Sequence, residues 1–249
     1  MFEPSPMGRV RVWVRPKPGH QYVLTVDPSS GGELSLSDDK PGDDSAVVVR
    51  DRGDREVVCT MRGRYPPYAL KQTVYLLALW YNHAHVGVEN NAGWGTPILE
   101  YLFREKGYEE LYLCQRFDSL RGDYSFDLGW NTNRATRPLA FSTARGRLRD
   151  GVEKLHDPEL INQLIRMQYH PTPSGDAKPM APTGEKDDLA LAWVINMRIS
   201  EELGPVEPLL ALDNDPAAAV PWHVKEFWQP HLDAVKAAKE DASLGDFDW

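Results

Sequence analysis

Acidic residues stand where three apolar elements end or begin, and that placement constrains this chain more than any other feature. The apolar run Tyr22-Val23-Leu24-Thr25-Val26 ends in Asp27. The run His85-Val86-Gly87-Val88 ends in Glu89. The pair Asp187-Asp188 opens the apolar stretch Leu189-Ala190-Leu191-Ala192. Carboxylates at the edge of a core are costly unless they are paired or hold a cation. Acids at the ends of two buried strands and the start of one buried helix can converge on one point. Mg²⁺ or Mn²⁺ sites for phosphodiester hydrolysis are built that way. Each acid also has a plain structural role open to it. Asp27 precedes Pro28 and suits a turn. Glu89 can cap the next helix, and Asp187 and Asp188 suit the positive end of a helix dipole. Three such acids at three such edges favour the cation site.

The chain has 249 residues, 41% of them hydrophobic, enough for one large domain with an appendage. No apolar run approaches the roughly 18–20 residues of a membrane span. The start, Met1 to Pro6, lacks the basic and apolar regions of a signal peptide. Cys59 and Cys114 are isolated from one another and form no zinc motif, so both are expected as buried thiols in a cytosolic protein. The net charge of −9 argues mildly against a nucleic-acid partner. The charge is unevenly spread, however. Acids crowd the segment after Gly204, whereas Arg134, Arg137, Arg145, Arg147, Arg149 and Lys154 fall in one basic stretch. Those arginines are candidate phosphate contacts beside the acids, with a solvated helix face as the plain alternative.

Periodicity gives the order of elements. Residues 9–15 alternate as an edge strand, and 21–27, 45–50 and 57–61 read as three consecutive strands of an antiparallel meander. Pro66 and Pro67 open a helix to about Asn82, with Leu70, Val74, Leu77, Ala78 and Tyr81 on one face. A short buried strand at 85–89, a helix at 96–106 and a strand at 110–115 follow. Helices are expected over 136–149, from Pro158, and over 185–201. Residues 167–180 read as two short strands or an extended loop. The sum is an α/β fold with a mixed sheet, antiparallel first and then parallel, with helices on both faces. Beyond Gly204 the prolines and acids suggest a loosely packed tail, so the expected division is 1–204 and 205–249.

The loops near the acids carry further candidates. Ser29-Ser30-Gly31-Gly32 offers small residues for close approach. Of the loop acids Asp38, Asp39, Asp43 and Asp44, the last two return toward the proposed site. Asn90 and Asn91 suit left-handed turns or substrate hydrogen bonds, and Gly93 and Gly95 leave open backbone before a helix. The histidines show no metal-ligand spacing, and no Gly-x-x-x-x-Gly-Lys-Ser/Thr loop is present, so no P-loop ATPase is encoded in these residues.

Several short motifs, in order, resemble the C-terminal nuclease domain of tailed-bacteriophage terminase large subunits. They are Thr25-Val26-Asp27-Pro28-Ser29-Ser30-Gly31, Gly42-Asp43-Asp44-Ser45-Ala46, Val88-Glu89-Asn90-Asn91, Gly129-Trp130-Asn131-Thr132-Asn133, Thr136-Arg137-Pro138 and Asp187-Asp188-Leu189-Ala190-Leu191-Ala192. The resemblance runs from about Val10 to Ser200. It implies a ribonuclease H-like fold, shared with Holliday-junction resolvases, and metal-dependent cleavage of double-stranded DNA during genome packaging. It implies Asp27, Glu89 and Asp187 or Asp188 as metal-binding acids, with Asp43 as a further acid. It also implies the portal protein and the small terminase subunit as partners and the cytoplasm of the infected host as the setting. The ATPase domain of that family does not match these residues, which suggests either an excised domain or a separately encoded nuclease.

On this basis two Mg²⁺ or Mn²⁺ ions about 3.5–4 Å apart would straddle the scissile phosphate. Asp27 would bridge them, and Glu89 and the Asp187-Asp188 pair would hold one each. One ion would activate the water and the other would stabilise the leaving 3′ oxygen. All-oxygen ligands suit hard cations rather than zinc. Two rivals remain at this point: a resolvase-like nuclease of the same fold, favoured by a preference for branched DNA, and a non-catalytic packaging adaptor, favoured by binding without cleavage.

Overall fold

The computed structural model describes residues 8–31, 44–118, 123–171 and 177–206. The central sheet has five strands in the order β1-β4-β3-β2-β5. They are β1 (Val10–Val12), β2 (Tyr22–Asp27), β3 (Ser45–Asp51), β4 (Glu56–Gly63) and β5 (His85–Val88). β2, β3 and β4 form the expected antiparallel meander, and β1 pairs along the outer edge of β4. β5 lies parallel to β2 on the other side. The mixed sheet read from the sequence is therefore present, antiparallel from β1 to β2 and parallel from β2 to β5.

Side-chain alternation divides the core into two layers. Tyr22, Leu24 and Val26 of β2 and Val86 and Val88 of β5 face one layer. That layer is covered by α1 (Pro67–Trp80) through Leu70, Val74, Leu77 and Ala78, and by α2 (Thr96–Glu100), which runs on into a π-helical turn over Tyr101–Glu105. Val23 of β2 and Ala46 and Val48 of β3 face the opposite layer. There they meet α3 (Thr136–Arg149), α4 (Pro158–Arg166) and α5 (Asp188–Glu202). Period two then assigns Asp27, two residues beyond Thr25, to the α5 side of the sheet. Glu89 follows Gly87, whose missing Cβ leaves room for Ile199 of α5, so Glu89 belongs to that side as well.

Polar clips fix α5 on the sheet. Thr25 Oγ1 donates to the Ala192 carbonyl at 2.8 Å, and Asn196 Nδ2 donates to the Val23 carbonyl at 2.9 Å. Both groups are fully buried, so each hydrogen bond also spares an unpaired polar atom in the core. The clips set how far along β2 the helix sits. They therefore set where its first residues stand relative to Asp27.

One expected strand is placed differently. Residues 110–112 lie parallel along the free edge of β5 through one bridge, Val86–Leu111, but no regular strand forms there. Instead β6 (Leu113–Asp118) pairs antiparallel with β7 (Asp123–Leu128), a strand that the sequence reading leaves unassigned. The chain touches β5 through single bridges at Val86–Leu111 and Glu89–Trp130. Gly129 explains the turn back toward β5. It has φ +85, and a Cβ there would stand 2.6 Å from the Val88 carbonyl oxygen. Gly129→Ala is expected to destabilise the protein by about 1–3 kcal/mol through strain and overpacking, read as a lower urea midpoint. Residues 167–180 form the antiparallel pair β8 (Gln168–Pro171) and β9 (Ala177–Met180). Cys59 and Cys114 are buried free thiols, as expected, and burial pushes the Cys59 thiol up to about 12. Residues 207–249, with Phe247 and Trp249, lie outside the described residues.

Candidate active site

Parallel pairing brings the first two acids together. Val26 is in register with Val88, and the Glu89 N–H donates to the Val26 carbonyl at 2.8 Å. The residues that follow, Asp27 and Glu89, bring their carboxyl groups close enough to interact. Burial, then the adjacent Glu89 charge, raises Asp27 well above the usual carboxylate range. Asp188 and Asp187 push in the same direction. In the absence of a cation, burial and these neighbouring acids disfavour the ionised form of Asp27.

Asn91 orients Glu89. Its Nδ2 donates to Glu89 Oε1 at 2.9 Å and to the Thr132 carbonyl at 3.2 Å. Its Oδ1 accepts from the Thr132 N–H at 3.0 Å. The left-handed backbone at Ala92 (φ 52) turns the chain back at this point. Gly95 has a packing role rather than leaving a phosphate-sized opening. A Cβ there would lie 2.4 Å from the Glu89 carbonyl oxygen, so the Glu89 backbone fills that space. Gly31, which has φ +66, likewise packs against Pro66.

Asp187 and Asp188 stand at the start of α5 but do different things. Asp187 is the residue before the helix, and its Oδ2 accepts from the Ala181 N–H at 3.1 Å. Asp188 is the first helical residue and only 8% exposed. Its Oδ2 is buried with no hydrogen-bond partner and lies 3.5 Å from Arg62 Nε, which is also buried and unpaired. Burial raises Asp188 to about 6, against the opposing pull of Arg62. Sequence reasoning missed Arg62. From β4 it holds Asp44 at 2.7 Å, pairs with Glu159 of α4 and faces Asp188. An arginine within Met61-Arg62-Gly63-Arg64 gives no sign in sequence of this role. Asp44 is thus engaged by Arg62, and Asp43 lies outside the described residues.

The orphaned Asp188 oxygen and the crowded Asp27 and Glu89 carboxyls both suit a cation, and every donor is a carboxylate oxygen, the chemistry of Mg²⁺ or Mn²⁺. These acids are spread more widely than a single-ion cage. Among the described residues the one trio whose ligand atoms all lie within 4.8 Å of one another is His20, Asp51 and Asp54. That trio sits at the other end of β2, where Tyr22 pairs with Asp51, about 17 Å from Asp27 at roughly 3.3 Å per residue. There Lys17 already pairs with Asp54, His20 Nδ1 lies 2.7 Å from Asp51, and Asp51 Oδ1 braces the turn through Gly53 and Asp54 N–H groups.

The basic stretch is split by the fold. Arg137, in the first turn of α3, comes to the acids. Its Nη2 donates to the Pro179 carbonyl at 2.6 Å, and its guanidinium lies over the Phe141 ring. Arg145 and Arg147 lie two or more turns further along α3, Arg145 being exposed over the ring of Tyr169. Arg134, before the helix, is exposed.

The mixed sheet in this order, with helices on both faces, is a ribonuclease H-like α/β fold. Solved structures of large terminase nucleases share it. The large terminase nuclease of thermophilic phage G20c with bound magnesium superposes with a TM-score of 0.58 at 17% identity, over 78% of this chain and 89% of that one. The cobalt-bound form gives 0.59 at the same identity and coverage. The Thermus phage P74-26 large terminase nuclease domain gives 0.56 at 15% identity, over 82% and 92%. No protein-family model matches the sequence, and no curated protein matches it. At such identities the likeness establishes the fold.

Proposed function

We propose that this protein is a divalent-metal-dependent endonuclease that cuts double-stranded DNA during phage genome packaging. The observation that carries the reading is the meeting of the Asp27 and Glu89 carboxyls at the ends of two parallel strands, beside the acid pair that opens α5. The fold shared with terminase nucleases, one of them described with bound magnesium, supports it. Asp27, Glu89, Asp187 and Asp188 would hold Mg²⁺ or Mn²⁺, and the wide spread of the acids suits two ions better than one. Once bound, the ions would supply Lewis-acid polarisation of the phosphate and a water made acidic enough to attack at neutral pH. The chain's own residues do the positioning. Asn91 sets the Glu89 carboxylate, Arg62 holds the Asp188 side of the site, and the Thr25 and Asn196 clips hold α5 in register. Arg134, Arg137, Arg145 and Arg147 are the proposed duplex contacts.

Supercoiled plasmid incubated with Mn²⁺ or Mg²⁺ should become nicked and linear, and EDTA should prevent it. Duplex binding in Mn²⁺ with no cleavage would instead favour a packaging adaptor, and a strong preference for branched DNA would favour a resolvase. In the same reading residues 1–204 carry the chemistry, and residues 205–249 form an acidic arm that docks a packaging partner such as the portal protein or the small terminase subunit. The setting is the cytoplasm of the infected bacterium; among the described residues no helix is long and apolar enough to cross a membrane. A chain ended after Gly204 should fold and still cut DNA with Mn²⁺. Insolubility, or melting far below the full chain, would make the tail part of the domain.

A further inference from the structure

The N-terminal end of α3 is tied to both halves of the acidic site. On one side, the Arg137 N–H donates to the Asn133 carbonyl at 3.0 Å, in the loop whose Thr132 is clasped by Asn91, the residue that holds Glu89. On the other, Arg137 Nη2 donates to the Pro179 carbonyl of β9, two residues before Ala181, whose N–H donates to Asp187. Arg137 is thus linked through Asn133 to the loop that Asn91 clasps, and through Pro179 to the strand that leads to Ala181. Its Nε is buried with no hydrogen-bond partner, and the Phe141 ring, 5.2 Å from Cζ, supports the flat face of the guanidinium.

The placement goes against local preference. The first turn of a helix favours acids, because its N–H groups make that end positive, and α3 has none there. It has an arginine instead. Side-chain and backbone caps do not need it: Asn133 Oδ1 already accepts from the Ala135 and Thr136 N–H groups, and Pro138 has no N–H. Departures of this kind from local rules collect at functional sites. Burial lowers the Arg137 pKa, and the charges of Asp187, Glu89 and Asp27 oppose that shift, which places all three within its field. A positive helix end and a braced guanidinium therefore converge where an anion would approach the acids.

We infer that Arg137 is a catalytic residue, distinct from the arginines that only hold duplex, and that it donates to a non-bridging oxygen of the scissile phosphodiester. This rests on the endonuclease reading above. In that hydrolysis a water oxygen bonds to phosphorus and the bond from phosphorus to O3′ breaks. One water proton ends on the 3′ oxygen, and the other goes to the new 5′-phosphate or to solvent. Negative charge on the non-bridging oxygens grows as the new bond forms, and a fixed guanidinium answers that charge without reorganising. Arg145 and Arg147, further along α3, contact flanking phosphates and affect affinity.

The test compares wild type, Arg137→Gln and Arg137→Lys in single-turnover cleavage of a linear duplex with Mn²⁺ at saturating protein. Mn²⁺ binding by calorimetry and duplex binding across a salt series are measured alongside. For Arg137→Gln the saturated cleavage rate should fall roughly 100-fold or more, as for loss of a donor to a transition-state oxyanion. Mn²⁺ affinity should be equal or tighter, since a positive charge beside the acids is gone. Duplex affinity should change only a few-fold, with a salt slope lower by about one. Arg137→Lys should recover part of the rate, keeping the charge without the fork. Cleavage by Arg137→Gln at the wild-type saturated rate would overturn the inference. So would a loss of Mn²⁺ binding that matches the loss of rate in both variants, which would make Arg137 a brace for the acids. A drop in duplex affinity with the saturated rate intact would make it an ordinary phosphate contact and overturn it as well. Wild type that binds Mn²⁺ and duplex but does not cut would sink the endonuclease reading itself, a result distinct from these.

Discussion

Asp27→Asn should remove DNA cleavage almost entirely, by about 10³-fold or more, equivalent to roughly 4 kcal/mol of barrier. The substitution keeps the shape of the side chain and its hydrogen-bonding reach to Glu89 but removes an anionic oxygen at the point where β2 and β5 converge. An amide is a weak ligand for Mg²⁺ or Mn²⁺ compared with a carboxylate, and the loss falls on the acid in contact with Glu89. The fold should not suffer. Asp27 is held near a second carboxyl and two more acids, so its ionised form is the unfavourable one, and the amide should leave the metal-free protein as stable as wild type or more so. Plasmid cleavage with Mn²⁺ and thermal melting in EDTA check the two halves separately. Wild-type nicking rates in a well-folded Asp27→Asn protein would remove the metal-site model. A large fall in melting temperature would instead show that Asp27 is a structural acid.

The strand-end acids were legible in the sequence because they follow from a simple physical conflict. Val23, Leu24 and Val26 must be buried, and a carboxylate at their end must then meet something at the sheet edge. The same reasoning gave Glu89, and the fold brings the two into contact. The hairpin β6–β7 was not legible as such. Leu113 and Cys114 look like core-strand residues, but their pairing depends on Gly129, whose turn is set by how closely it packs on the Val88 carbonyl, a contact between segments about forty residues apart. Arg62 was invisible for a similar reason. Its three acidic neighbours, Asp44, Glu159 and Asp188, come from three separate stretches of chain, and only the packing of α4 and α5 over β4 gathers them. The basic stretch from Arg134 to Lys154 was legible as charge but not as geometry. A helix spreads its side chains around its axis, so Arg137 reaches the acids while Arg145 lies over Tyr169. Gly95 gave a misleading sign: a glycine before a helix suggests room for a phosphate, and here the room is taken by the backbone of Glu89.

Without metal, the protein should become less stable as pH rises from about 4 to above 6, and Asp188→Asn should remove much of that loss. Asp188 gives up its proton near 3.8 in the unfolded chain and near 6 in the folded one, where burial disfavours the charge more than Arg62 can offset. Below about 3.8 both states are protonated and the group has no effect. Between the two values the folded state holds the extra proton, so each step up in pH favours unfolding. Above about 6 both states are ionised and the full penalty stands. The separation of about two units corresponds to about 3 kcal/mol. Asp27, raised in the same direction, adds to the slope. A bound cation should reverse the trend, because it stabilises the ionised acids of the folded state alone: at about 100 times its Kd it would add roughly 2.7 kcal/mol. Urea unfolding in EDTA at pH 4.5, 6 and 7.5, repeated with Mn²⁺, measures both effects. The EDTA series should fall with pH in wild type and be flatter in Asp188→Asn, and Mn²⁺ should recover more stability at pH 7.5 than at pH 4.5. If metal-free stability rises steadily from pH 4.5 to 7.5, the acids are held by internal partners rather than poised for a cation. If Mn²⁺ stabilises Asp188→Asn as much as wild type, Asp188 is not a ligand, and Asp187 becomes the acid through which α5 would hold the metal.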